Sequence, residues 1–210
     1  MKNMNIKFSY CLAIFVVLIS CDNRIIERSS SDYFPFKEGN WWSYYNGQDT
    51  TYIEVLDPDT LLELETMTIS FGGEIRHWLM SDAAIEEYAE VVYYHTGIAY
   101  PIIQEFFMRN ELPLVNGYWF GDSMTDSIMI SGVNVRAYFS YEARVVDYQY
   151  QAEYDADVYH VTHQMAKTIE SPDTIITVSH NREEYYAPGI GIVRFVDNTG
   201  DYSLIDYYID

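Results

Sequence analysis

Residues 133–145 constrain the fold more than any other part of the chain. Val133, Val135, Ala137, Phe139, Tyr141, Ala143 and Val145 recur at every second position, with Asn134, Arg136, Tyr138, Ser140, Glu142 and Arg144 between them. Alternate residues of an extended strand leave on opposite faces, so this spacing predicts one long strand with an apolar and a polar side. At Val145-Val146 the phase slips, and Val146, Tyr148 and Tyr150 carry the apolar series onward. One inserted residue is what a β-bulge supplies, and a bulge bends a strand too long to stay flat. Such a strand needs partners.

Residues 51–56, 159–165, 174–179, 190–196 and 203–209 read as those partners. Pro188-Gly189 introduces the fourth of them, and Asn198-Thr199-Gly200-Asp201 turns it into the last. Residues 41–45 are predicted to turn at Asn46-Gly47 into 51–56, and Asp57-Pro58-Asp59-Thr60 to close that strand. Helical signals are few. Ser81 or Asp82 would cap a short helix carrying Ile85, Tyr88, Ala89 and Val92 on one side. Tyr100-Pro101 ahead of Ile102, Ile103, Phe106 and Phe107 fits a helix starting at proline, or equally an apolar strand. Apolar residues at 49% supply a core, and 21 tyrosines lean towards β structure. The expectation is a mainly β domain over residues 33–210, built as an antiparallel meander. It would curl into a half-barrel or form a sandwich, with at most one or two short helices.

The first twenty residues read as an address. Lys2 and Lys7 precede an uncharged, almost wholly apolar run at 8–19. As a helix that run rises about 18 Å, short of the ~30 Å hydrocarbon core, which is the build of a secretory signal. Leu18-Ile19-Ser20-Cys21 resembles the bacterial lipobox. That resemblance implies a signal peptide at 1–20, a diacylglyceryl group on the Cys21 thiol and a polar tether at 21–32. The protein would then be anchored to a membrane of the cell envelope, facing the periplasm or the cell surface. Asp22 resembles an inner-membrane retention signal of enterobacteria, but other phyla use different rules, and the leaflet stays open. The two cysteines, Cys11 and Cys21, exclude a disulfide scaffold.

Two further segments carry a family resemblance. Residues 33–44, YFPFKEGNWWSY, resemble the opening Y-F-P-x-x-x-G-N-x-W-x-Y of many bacterial lipoproteins, particularly of the Bacteroidetes. Residues 185–194, YYAPGIGIVR, are similar to their closing Y-Y-A-P-G-x-G-x-V-K/R. The resemblance implies a secreted, β-rich envelope protein and brings no catalytic residue with it. Gly39 and Gly189 suit turns with positive φ, and Gly191 suits a close backbone crossing.

Charge removes one function class. Twelve Lys and Arg against 32 Asp and Glu give −20, which repels a phosphate backbone, so no nucleic-acid partner is expected. An enzyme alternative rests on Gly121-Asp122-Ser123, which looks like the nucleophile block of GDSL-type serine esterases. Asn134 would imitate their oxyanion donor, and Asp157 with His160 their closing D-x-x-H. Spacing opposes it, because 37 positions from Ser123 to His160 leave no room for several βα units and hold the long strand instead. No metal site and no cofactor are expected: His160 and His163 would leave opposite faces of a strand, and Glu153, Asp155 and Asp157 lack a glycine-turned loop to complete a calcium shell. The preferred reading is a non-enzymatic binding or structural module. Trp42, Trp78 and Trp119 are its candidate contacts for a carbohydrate or protein ligand, against the alternative that most tryptophans fill the core.

Overall fold

The structure, a computed structural model, describes residues 33–210; the leader, Cys21 and the tether lie outside the described residues. Twelve strands follow one another: β1 (Trp41–Tyr45), β2 (Thr50–Leu61), β3 (Leu64–Phe71), β4 (Glu74–Met80), β5 (Ala84–His95), β6 (Ile98–Glu111), β7 (Trp119–Ile130), β8 (Val133–Gln151), β9 (Ala156–Ser171), β10 (Thr174–Ala187), β11 (Gly191–Asp197) and β12 (Gly200–Tyr208). They form one sheet in the order β6-β5-β4-β3-β2-β1-β12-β11-β10-β9-β8-β7. Two meanders of hairpins are therefore joined where β12 pairs with β1. The outermost strands, β6 and β7, come into contact without forming a ladder, so the sheet curls into a nearly closed barrel. Because each strand reverses the last, turns leading from odd to even strands cluster at one end, the mouth. The other turns lie at the base.

The long alternating strand is β8, and its register shifts between Val145 and Asp147, where the phase slip falls. Its apolar series faces inward from Val135 to the bulge: Val135, Ala137, Phe139, Tyr141, Ala143 and Val145 are buried, while Arg136, Glu142 and Arg144 are exposed. Val133 at the mouth is exposed, and past the bulge Val146, Tyr148 and Tyr150 are exposed and do not continue the buried face.

Two local expectations are corrected. Residues 84–95 form β5, not a capped helix, because β6 offers a ladder along the whole segment. The Ser81 hydroxyl does accept from the Ala84 N–H at 3.0 Å, as a cap would, but it closes the β4–β5 turn. The apolar run after Pro101 belongs to β6. Asp57-Pro58 does not end β2 either: the register shifts between Leu56 and Asp59, and the chain turns only at Leu62-Glu63, where φ is +51° and +67°.

The base is closed by the segment that precedes β1. Phe34 is fully buried, its ring 4.6 Å from Tyr186 and 5.7 Å from Trp78. Phe36 meets Trp78 at 5.0 Å and Trp42 at 5.4 Å. Asn40, also fully buried, donates to the Pro35 carbonyl and accepts from the Asp210 N–H, tying the start of the domain to its end. Gly191 holds φ +102°, and a Cβ there would lie 3.4 Å from the Trp42 indole. That indole donates to the Ile190 carbonyl at 2.6 Å. These residues of the opening and closing motifs build the base.

Candidate functional site

Tryptophan stacking is not where the interior points. Trp42 and Trp78 are core residues, 1% and 0% exposed, because both face inward onto the basal plug. Trp119, at the basal start of β7, is 66% exposed and stands apart from them. Nor are the residues of the esterase alternative brought together. Ser123 is exposed on β7 opposite Ser140, and Asn134 is exposed opposite Met129. His160 pairs with Asp147 on β8, seven residues along from Ser140, a separation of roughly 23 Å. Its ring stacks on Tyr185 at 4.5 Å and lies 3.2 Å from Glu183, and Asp157 pairs with Tyr150. His163 points the other way, into the barrel, as strand geometry requires.

That inward histidine belongs to an ionic network in the middle of the barrel. Glu184 is fully buried on β10 and accepts two hydrogen bonds from Arg109 Nη2 on β6, at 2.6 and 2.7 Å. Arg109 Nη1 donates to Glu87 on β5 at 2.5 Å, and Arg76 on β4 lies 3.6 Å from the other Glu87 oxygen. Tyr186 donates its hydroxyl to Glu184, His163 Nε2 stands 3.1 Å from it, and Tyr141 Oη is 2.5 Å from His163 Nδ1. Arg182 Nε lies 2.9 Å from Glu184 Oε1 without the alignment of a hydrogen bond, and Arg182 Nη2 is buried with no partner among the described residues. Trp78 lies under the Arg109 guanidinium at 4.7 Å, while the Arg182 guanidinium lies over Phe71 at 3.8 Å and Phe195 at 4.2 Å.

The strands place this network by period-two alternation. Arg182, Glu184 and Tyr186 share the inner face of β10, and Arg182 and Glu184 pair across to His163 and Val161 on β9. Burial alone would raise the Glu184 carboxyl; Arg109, then His163 and Arg182, outweigh it and hold the pKa well below the usual carboxylate range. Burial would lower the Arg109 pKa, but Glu184 and Glu87 raise it well above its ordinary value. Burial lowers Arg182, against the pull of Glu184. Burial also lowers the His163 pKa, against the pull of Glu184, and pushes Tyr141 and Tyr186 well up.

Above the network, towards the mouth, lies a cavity of about 540 Å³. Four of the chain's twelve Lys and Arg side chains line it: Arg76, Arg109, Lys167 and Arg182. Glu74 and Asp197 are the lining carboxylates, while Glu87 and Glu184 lie behind the guanidiniums. Among the described residues, no group of three or more His, Cys, Asp or Glu is placed to hold a metal ion.

The chain matches no family model and no curated protein. Among solved structures it is similar to a candidate lipoprotein of Parabacteroides distasonis, 13% identical with a TM-score of 0.41, over 83% of this chain and 97% of that one. It is also similar to a candidate exported protein of Bacteroides fragilis with a YmcC-like fold, 15% identical with a TM-score of 0.40, over 84% of this chain and 98% of that one.

Proposed function

We propose that this chain is a lipid-anchored protein of the bacterial cell envelope whose barrel is a non-enzymatic binding module, with the cavity at the mouth as its ligand site. One observation carries the binding reading: a pocket of about 540 Å³, within the range of small-molecule sites, sits on a floor of fixed guanidiniums. Buried ions are costly unless they are paired, and a barrel of this size would close more stably over apolar side chains. The network instead keeps polar groups oriented beneath an open space. The anchor rests on the leader and on the tetrapeptide ending at Cys21.

Each half has its own experiment. Cells expressing the full chain and fed an alkyne fatty acid should label it, and Cys21→Ser should abolish the label; undiminished labelling of the variant would refute the anchor. For the pocket, native mass spectrometry of the domain released gently from its own membranes should find a small molecule at one copy per chain. Narrowing the cavity with Met165→Trp should lower its occupancy severalfold. Equal occupancy in the folded variant would place the ligand elsewhere.

A further inference from the structure

The cavity's chemistry specifies its ligand more narrowly than "small molecule". In a chain of formal charge −20, its lining carries four cations against two carboxylates. Arg76 is matched by Glu74 at 2.9 Å and Glu87 at 3.6 Å, and Arg109 by Glu87 and Glu184. Glu184 is shared by Arg109, His163 and Tyr186 before Arg182 approaches it, and the Asp197 carboxylate is 3.8 Å from Arg182 Nη1. Lys167 donates to the Glu90 carbonyl at 3.0 Å and forms no salt bridge among the described residues. Arg182, whose buried Nη2 has no partner among the described residues, and Lys167, which faces no carboxylate within salt-bridge distance, are thus the two cations with donors left for a ligand.

Their placement gives the site a direction. Lys167 pairs with Val178, and Arg182 with His163, four positions deeper along the same two strands. That spacing is about 13 Å, with Lys167 nearer the mouth. Met165 lies between them on β9, and Phe71, Phe195 and Tyr202 add an apolar, aromatic wall around Arg182. Phe195 and Tyr202 stack at 4.8 Å. An inorganic anion would leave this wall unused, and an apolar ligand would leave Arg182 unanswered.

We infer that the cavity takes an organic anion with a flat apolar body, its carboxylate or similar group on Arg182 and its body against Phe195, Tyr202 and Met165. This rests on the cavity being a ligand site. Lys167 draws the anion in at the mouth, and Arg182 holds it, because a cation braced between two rings keeps its donors fixed.

Calorimetry with three isosteric probes tests it on the full chain purified in detergent. 2-Naphthoate should bind at least tenfold more tightly than 2-naphthamide, and 2-naphthylmethylammonium should bind most weakly. Arg182→Gln should weaken naphthoate ten- to hundredfold, as loss of a charged hydrogen bond does, and leave naphthamide nearly unchanged. Because Arg182 also touches the network, near-UV circular dichroism checks that the variant is folded. Lys167→Gln, closer to solvent, gives a second reading: a fewfold loss for naphthoate, greatest at low salt. Equal binding of naphthoate and naphthamide would overturn the anion assignment while leaving a ligand site in place. Absence of binding by all three probes would overturn both.

Discussion

Removing the Glu184 carboxylate would leave two buried guanidiniums facing each other with their shared counter-charge gone. Breaking a buried ion pair by deleting one partner costs about 3–5 kcal/mol, because the survivor stays desolvated. Glu184→Gln is expected to lose that much in urea denaturation, and a loss below about 1 kcal/mol would show that the network does not depend on this charge. His163 adds a pH signature. Burial lowers its pKa below the ordinary 6.5, so the unfolded chain takes up the proton first as pH falls. Its contribution is complete above about pH 6.5 and is lost progressively down to the folded-state pKa. Glu184, held well below the usual 4.5, begins to lose its share only at lower pH. Denaturation midpoints measured from pH 7.5 to 5 should therefore fall in the wild type and fall less in His163→Gln. An unchanged slope in the variant would assign the effect to another group.

The Gly-Asp-Ser sequence on β7 finds its explanation at the level of strands. A Cβ on Gly121 would stand 2.6 Å from the Tyr141 carbonyl oxygen, so the glycine is what lets β7 lie against β8. Ser123, two residues on, is exposed and pairs with Ser140. Gly121→Ala should cost about 1–3 kcal/mol, as forced overpacking does, whereas Ser123→Ala should stay within about 0.5 kcal/mol. Thermal denaturation of the two variants side by side decides it, and a mild Gly121→Ala would mean that β7 shifts freely. The strands themselves were legible because period-two alternation is a local signal; β8 with its bulge is the clearest case. β5 was misread because Ile85, Tyr88, Ala89 and Val92 also fit a helical stripe, and only the β6 ladder decides between the two periods. The network was illegible for another reason. Glu183 and Glu184 look alike in sequence, yet one faces solvent and the other is fully buried. A clue existed in Arg182-x-Glu184-x-Tyr186, three residues on one strand face, but their partners Glu87 and Arg109 lie on the other meander. Long-range charge pairing leaves no local trace.

Across the whole barrel the interior is layered, and each layer rests on the one below. The basal plug supports Trp78 and Tyr186 from beneath. Trp78 underlies Arg109, and Tyr186 donates to Glu184, so the aromatic floor also positions the ions. The cavity lies above them. The Y-F-P opening of the domain is thus expected to influence the mouth through two intermediate layers, Trp78 with Tyr186 and the ions they hold. Phe34→Ala tests this coupling. Truncating a fully buried phenylalanine costs about 3–5 kcal/mol, through lost burial and the hole left behind. A plug that only sealed the base would show that loss and no more. A plug that also braces the floor should, in addition, change the near-UV circular dichroism of Trp78 at temperatures where the variant is still folded, because the indole loses the ring packed edge-on against it. An unaltered spectrum together with an ordinary loss of stability would reduce the plug to packing alone and leave the network to hold its geometry by its own hydrogen bonds.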